Sequence, residues 1–522
     1  MTTSTVTRSV NPLLPSNEFI PDGEPRVFGD RVYLYGSHDL AGGGMCGGDY
    51  VCYSAPLDDL ATWRYDGVIF RRQQDPFIAP RAAKNRMLER LFAPDVLLID
   101  GRYFLYYGVG LTRTGFGVAV SDSPTGPFEY VGRVRYPDTE KPGGWKDDRD
   151  GIADGDLAFG RGRSPLRGFS EYPYDPAVIE HEERLFLFFG LLNCSVVELD
   201  PADKRTVIRN ADTGLFVTPI LRSSILDLLR ARMSGNRRKT VMVNGPSVRE
   251  IDGRFILSYW AMGGQGFSGM HYAVADRPSG PFTPAGPLVA LGNAWKDGQV
   301  GATDRVGNTH GGMFESGGTW YQIYHRHTAD GRQACGTALT RRPDGSFEQA
   351  HYDSLGLDPT PLDAFTTWPA YLACHLAGRR TGLRRGGRPE LVLRDHPAGE
   401  VDPDTGRRTR QVLSGTRAGS VAGFKFLDFG SGDGSSMFTL RLDPRSSGRV
   451  EVRIDDPSGP SIATVQVPAD AVGQGWTQLT APAPRVTGVH AVFLVFRPER
   501  GELGDIDCFG FTRSPVAVQP SA

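Results

Sequence analysis

Gly29-Asp30-Arg31-Val32-Tyr33-Leu34-Tyr35 is a turn signal followed by a short strand of alternating apolar and aromatic residues. Four further stretches repeat it: Asp100-Gly101-Arg102-Tyr103-Phe104-Leu105-Tyr106, Glu182-Glu183-Arg184-Leu185-Phe186-Leu187-Phe188, Asp252-Gly253-Arg254-Phe255-Ile256-Leu257-Ser258 and Gly317-Gly318-Thr319-Trp320-Tyr321-Gln322-Ile323. The copies recur roughly every 65 to 80 residues, a period of repeated small sheets rather than of one long sandwich. Just upstream of each lies a shorter strand-like run opening on a polar residue: Asp22, Asp95, Asp175, Asn244 and His310. If each repeat is one blade, five inner strands approach a common axis. Three carboxylates, an amide and an imidazole then meet near one place.

A second repeated feature supports blades. Val118-Ala119-Val120-Ser121-Asp122 with Pro124 and Gly126-Pro127-Phe128 is similar to Tyr272-Ala273-Val274-Ala275-Asp276 with Pro278 and Gly280-Pro281-Phe282; Tyr53 to Leu60 with Trp63 is a looser copy. Each reads as the outer strand of a blade. Radial repetition of small sheets protects strand edges without a closed barrel. The 66 glycines and 38 prolines suit many tight turns better than long helices. The best helix candidate is Ser224 to Arg232, with Ser224 as N-cap and Ile225, Leu228 and Leu229 on one face. Tyr136 to Tyr172 is a polar, glycine-rich insertion whose aspartates miss the calcium-loop spacing, so a solvated loop is expected there.

From Gly378 to about Arg388 the chain turns basic and glycine-rich, a linker rather than a nucleic-acid arm, since no aromatic residues accompany the arginines. Beyond it, Ala422–Phe429, Phe438–Leu442, Arg449–Ile454 and Ala491–Phe496 alternate like strands of a β-sandwich. The expected architecture is all-β: a five-bladed β-propeller over 11–375, a linker over 376–388, and a jelly-roll-like sandwich over 389–515.

A net charge of −2 gives no general attraction to nucleic acid or anionic membrane. No apolar run is long enough to span a bilayer as a helix. The N-terminus has no apolar signal-peptide core, and the six cysteines show no C-x-x-C pair. Together these favour a reduced, cytoplasmic setting.

Taken singly, Asp22 in Pro21-Asp22-Gly23, Asp95 in Pro94-Asp95 and Asp175 in Asp175-Pro176 read as turn residues. Their matched placement before successive inner strands suggests a shared site. Two carboxyls flanking a glycosidic bond is the usual arrangement for sugar hydrolysis. Here a family resemblance becomes specific. Asn11 to Asp39, Ala93-Pro94-Asp95, Tyr174-Asp175-Pro176, Thr309-His310-Gly311-Gly312 and Tyr324 to Thr328 with Arg332 to Cys335 resemble glycoside hydrolase family 43. The stretch from about 388 to 513, closing on Asp505-Ile506-Asp507-Cys508-Phe509, resembles a family-6-type carbohydrate-binding sandwich.

The resemblance implies an inverting five-bladed propeller glycosidase that releases arabinofuranose or xylose from chain ends of a small oligosaccharide or glycoside. Asp22 then matches the general base, and Asp175 the residue that orients the acid and raises its pKa. Asp95 matches a pocket position in contact with substrate or structure. His310 matches a histidine near the axis that meets a central cation, calcium, or a water. Arg326 or Arg332 would direct donors at sugar hydroxyls. No cofactor is required on this reading. The histidines His38, His310, His325 and His327 fix no third ligand by spacing, so zinc is not expected.

One position departs from the family pattern. Its general acid is a glutamate in a Glu-Gly-Pro or Glu-Ala-Ser motif, and this chain reads Asn244-Gly245-Pro246. A carboxamide cannot deliver a proton to a leaving alkoxide, and losing the general acid costs about 10²–10⁴ in rate. Three readings follow: a glycosidase acting on terminal furanosides with its proton supplied otherwise, a sugar-binding protein on a disabled scaffold, or another reaction on a sugar. Arabinofuranosides are the leading substrates of the first, with xylosides and galactofuranosides as alternatives.

Overall fold

The computed structural model describes residues 8–42, 44–79, 89–110, 115–135, 173–223, 226–227, 229–230, 240–378, 380–381, 384–385, 387–402, 405–431 and 436–513. The insertion expected over Tyr136 to Tyr172 lies outside the described residues. So do Ser224, Ile225 and Leu228 of the helix candidate, of which Leu226, Asp227, Leu229 and Arg230 are helical.

Five antiparallel sheets succeed one another along the chain. Blade 1 runs Glu24–Phe28, Arg31–Tyr35, Tyr50–Pro56, Arg64–Phe70; blade 2 runs Leu91–Ile99, Arg102–Val109, Gly117–Ser121, Glu129–Arg133. Blade 3 runs Ala177–His181, Arg184–Phe189, Asn193–Leu199, with Val207–Ile208 and Thr218–Arg222 both on the last strand. Blade 4 runs Thr240–Ile251, Arg254–Gly263, Ser268–Ala275, Thr283–Ala290, and blade 5 Met313–Ser316, Thr319–His327, Arg332–Leu339. Each repeated turn-and-strand of the sequence is the second strand of a blade. The stretches read as outer strands are third strands; in blades 1, 2 and 4 a fourth follows the turn.

The innermost strands touch in chain order, and Met313–Ser316 returns to Glu24–Phe28. Closure is by hydrogen bonds. Gly312 N–H donates to Gly23 O at 3.0 Å, and Gly23 and Gly311 form a parallel bridge. The N-terminal segment laces the outer edge of blade 5: Leu13 N–H donates to Ala334 O, and the Asn11 amide exchanges hydrogen bonds with Gly336 N–H and C=O. Between blades, alternate side chains interlock as apolar clusters, such as Tyr50, Phe70, Leu91 and Tyr107 between blades 1 and 2.

The second domain is a sandwich of two sheets. One orders Leu362–Asp363, Val421–Asp428, Val489–Pro498, Gly448–Ile454 and Ser461–Val467, with His375–Ala377 also on Val421–Asp428. The other orders Glu390–Val401, Arg408–Ser414, Gly504–Arg513, Ser436–Pro444 and Thr477–Ala483, with Trp368–Pro369 on Gly504–Arg513. Phe438, Leu440 and Leu442 point into the core while Met437, Thr439 and Arg441 point out, the period of two that a half-buried strand needs. The sandwich therefore recruits strands from residue 362 onward, inside the stretch that the sequence reading gave to the propeller. Those strands are two or three residues long and show too little alternation to be seen in sequence.

The domains are knit together. Arg326 donates to Tyr371 O and Ala373 O, Asn17 to Glu400 O, and Ala329 N–H to Leu391 O.

Candidate active site

Asp22 and Asp175 occupy matching places, two residues before the inner strands of blades 1 and 3, and both have left-handed backbone, φ 58° and 51°. Aspartate tolerates that region better than most residues, at a cost of about 1–2 kcal/mol. Blade 4 makes the same kink with Gly245 (φ 69°), one residue after Asn244. A Cβ there would lie 2.7 Å from the His310 ring, so glycine is needed for both conformation and space. His310 itself precedes the inner strand of blade 5 and is buried.

Asp22 is held from three sides. Arg332 Nη1 donates to both carboxylate oxygens at 3.2 Å. The Asp22 backbone N–H donates to His325 Nδ1 at 3.2 Å, which puts the His325 proton on Nε2. His310 Nδ1 lies 3.9 Å from Asp22 Oδ1 and 3.9 Å from Asp175 Oδ2, so it neighbours both carboxyls. Asp175 accepts a hydrogen bond from Gly245 N–H, which joins it to the Asn244 turn. Asp22, Asp175, His310 and the Asn244-Gly245 turn thus come from blades 1, 3, 5 and 4 to one end of the axis.

The charges do not balance. Asp22, Asp39 and Asp175 surround one guanidinium, Arg332, whose own proton is held more firmly by Asp22 and Asp39 against the effect of burial. Burial pushes His310 down, with Asp22 opposing, and pushes His325 well down with Arg332 adding to it. Neither imidazole supplies the missing positive charge. Burial, and then the like charge of Asp22, raise Asp175 well above the usual carboxylate range, against Arg332 and the Gly245 N–H. Burial and then Asp175 likewise push the neighbouring Tyr174 phenol up.

Below this cluster a second network fills the axis. Glu24 and Arg26 lie on one face of the strand that follows Asp22. Glu24 accepts from Ser247 Oγ (2.8 Å) and Arg249 Nη2 (2.5 Å). Arg26 donates to Asp95 Oδ1 and Oδ2 (2.8 and 2.5 Å), and Val178 N–H donates to Asp95 Oδ2 at 2.7 Å. Asp95 is fully buried and both its oxygens are engaged. It ties blades 1, 2 and 3 together, the structural one of the two contacts expected of it. Asp95 lies within its strand, Leu91–Ile99, rather than before it. Arg326 falls away from the site: its guanidinium is buried against Gln333 Oε1 and two carbonyls of the interdomain segment. Arg332 is at the site, with all three guanidinium nitrogens on Asp22, Asp39 and Cys46 Sγ. It positions the carboxylate.

The profile "Glycosyl hydrolases family 43" matches residues 11–145, and "Carbohydrate binding module (family 6)" matches 399–513. Over 514 residues the chain is 31% identical to a xylosidase/arabinosidase of Thermoclostridium stercorarium, covering 93% of this chain and 96% of that one. The chain belongs to family 43 of the glycosyl hydrolases. It is also 24% identical over 448 residues to an arabinoxylan arabinofuranohydrolase of Paenibacillus polymyxa, covering 79% of this chain and 59% of that protein. A crystal structure of a family 43 arabinoxylan arabinofuranohydrolase from Bacillus subtilis, in complex with cellotetraose, aligns over 98% of both chains at 21% identity and a TM-score of 0.46.

In this family 43 glycoside hydrolase, Asn244 stands one residue from the Gly245 N–H that binds Asp175, and its Oδ1 is buried without a protein hydrogen-bond partner. Glu250 and Glu315, the two glutamates weighed as substitutes for an acid at position 244, are engaged elsewhere. Glu250 pairs with His181 Nδ1 (3.0 Å), and Glu315 accepts from Gly318 N–H in the turn at the far end of its strand. The calcium implied near His310 finds no matching ligand set. That ion takes six to eight oxygen ligands, whereas His310 offers nitrogen and the adjacent Asp22 is already on a guanidinium. Among the described residues no group of three or more His, Cys, Asp and Glu side chains could hold a metal ion. His327 Nε2 is turned to Asn308 O and His325 Nδ1 to Asp22 N–H, so the pair His325-x-His327 is used structurally.

Sequence reasoning missed Asp39. It accepts from Arg332 Nε (2.8 Å), Nη2 (2.8 Å) and backbone N–H (3.1 Å), and from Cys46 N–H (2.6 Å). Its signal was present in Ser37-His38-Asp39, a polar run directly after a buried strand, but its arginine partner is 293 residues away in sequence.

Proposed function

We propose that this glycoside hydrolase removes terminal furanosyl residues from small oligosaccharides or glycosides with inversion, α-L-arabinofuranosides first and β-xylosides and galactofuranosides as alternatives. Asp22 acts as the general base on the attacking water. Asp175 takes over the acid's part: its proton passes to the glycosidic oxygen as the C–O bond breaks, Asp22 accepts the proton of the water that forms the new C–OH bond, and solvent exchange resets both carboxyls. Asn244 contributes a hydrogen bond to the leaving sugar.

The observation that carries this reading is the pair Asp22 and Asp175, each 3.9 Å from His310 Nδ1. Their facing oxygens are therefore at most about 8 Å apart, which brings two carboxyls to one sugar; inversion itself is taken from the family resemblance. The names of the relatives, xylosidase/arabinosidase and arabinoxylan arabinofuranohydrolase, support pentose substrates.

A second reading has its own observation. The unpartnered amide oxygen of Asn244 suits a site that binds sugar without cleaving it. One experiment separates the two. Purified protein is assayed on nitrophenyl arabinofuranoside, xyloside and galactofuranoside and on the matching disaccharides, beside Asp22→Ala. Turnover that Asp22→Ala abolishes supports hydrolysis. Binding without turnover on any of these substrates supports the second reading, and turnover retained in Asp22→Ala removes Asp22 as the base.

A further inference from the structure

We propose that the cleft between propeller and sandwich is the leaving-group subsite, built jointly by both domains to hold the polyhydroxylated remainder of an oligosaccharide. This rests on the hydrolytic reading above. The cleft encloses about 940 Å³, within the roughly 300–1,000 Å³ typical of small-ligand sites.

Its position follows from topology. One wall comes from Gln265, in the turn between the second and third strands of blade 4, and from Thr303 and Asp304, in the connection from blade 4 to blade 5. In an antiparallel blade whose first strand is innermost, both connections lie at the end where the inner strand begins. That is the end carrying Asp22, Asp175, Asn244 and His310. The sector also matches. Asn244 pairs with Trp260, whose Nε1 donates to Ser268 Oγ (2.9 Å), and Ser268 Oγ donates to Gly307 O (2.6 Å) on the way to His310. Asn244, which hydrogen-bonds the leaving sugar in that reading, belongs to blade 4. Asp304 is only six residues from His310, so the wall lies within about 20 Å of the catalytic cluster even for fully extended chain.

The chemistry of the walls suits hydroxyl groups, which both donate and accept. Gln265 Oε1 is buried with no protein partner and is an acceptor. Facing it across the cleft, the sandwich contributes Arg388, Glu390 and Arg417, the last paired with Glu502 at 3.0 Å. Guanidinium forks and carboxylates in alternation can bracket vicinal hydroxyls. The sandwich thereby becomes part of the substrate path rather than a distant anchor.

The test uses the full chain. Arg417→Ala and, separately, Gln265→Ala are assayed on nitrophenyl arabinofuranoside and on arabino-oligosaccharides of two to five units. KM for the tetra- and pentasaccharide should rise about tenfold, and by far more than for the nitrophenyl glycoside, whose leaving group has no hydroxyls for these side chains to bind. In parallel, calorimetric affinity of the pentasaccharide for Asp22→Ala should fall about tenfold when Arg417→Ala is added. Equal effects on short and long substrates, or unchanged pentasaccharide affinity, overturn the subsite. Failure of the wild-type chain to turn over any of these substrates counts against the hydrolytic reading instead, and the calorimetric arm still decides the subsite.

Discussion

Asp39 accepts three hydrogen bonds from Arg332, two from the guanidinium and one from the backbone N–H, and leaves Nη1 to face both oxygens of Asp22. Asp39 thus sets the position of the carboxylate that would activate water, without touching it. Asp39→Asn keeps the shape but loses the charge and one acceptor. We expect kcat to fall roughly 10- to 100-fold, about 1.4–2.7 kcal/mol of barrier, with KM little changed. Steady-state kinetics check this; a pure rise in KM would show that Asp39 serves binding instead.

Asp175→Asn removes the proton donor. On a disaccharide, kcat should fall by about 10²–10⁴ and the basic limb of its pH profile should disappear, while an activated nitrophenyl glycoside loses much less. Equal losses on both substrates would assign Asp175 a structural part only.

The same substitution has an opposite effect on stability. A carboxyl whose folded pKa is raised contributes full stability below its unfolded value of about 3.9, and that contribution is lost as pH climbs through the folded value. Asp175 is raised by burial and by Asp22. The Asp175→Asn melting temperature should therefore exceed that of the wild type by a margin that grows as pH rises above 4. Thermal melts across pH 4 to 8 read it directly.

Asn244→Glu restores a carboxylic acid beside Asp175. Hydrolysis of a disaccharide should rise at least tenfold, with little change on the nitrophenyl glycoside, whose leaving group needs no proton. No gain would place the leaving oxygen out of reach of position 244.

Asp95→Ala strips Arg26 of its buried partner and should cost about 3–5 kcal/mol in denaturant unfolding. Protein that folds should retain its KM for the terminal sugar, because Asp95 is sealed beneath the site.

Much of this was visible in the chain. The repeated turn-and-strand marks the second strand of each blade because a turn signal and an alternating strand are local features. Asp22 and Asp175 sit at the same place, two residues before their strands. Asn244 and Asp95 both fall inside theirs; Asp95 is taken up by Arg26 and Val178, a pairing across blades that no local pattern reveals. Arg326 and Arg332 looked alike in sequence. Packing sent one into the domain junction and the other to Asp22.

The sequence by itself determined the alternation, the turns and the residue types, and with them the five blades and the sandwich, because each depends on neighbours within a few residues. Only the tertiary structure decided which charges meet. Asp39 with Arg332, Arg26 with Asp95 and Asp22 with Asp175 are brought together by closure of the ring, and the upward shift of Asp175 follows from its burial and from Asp22 beside it.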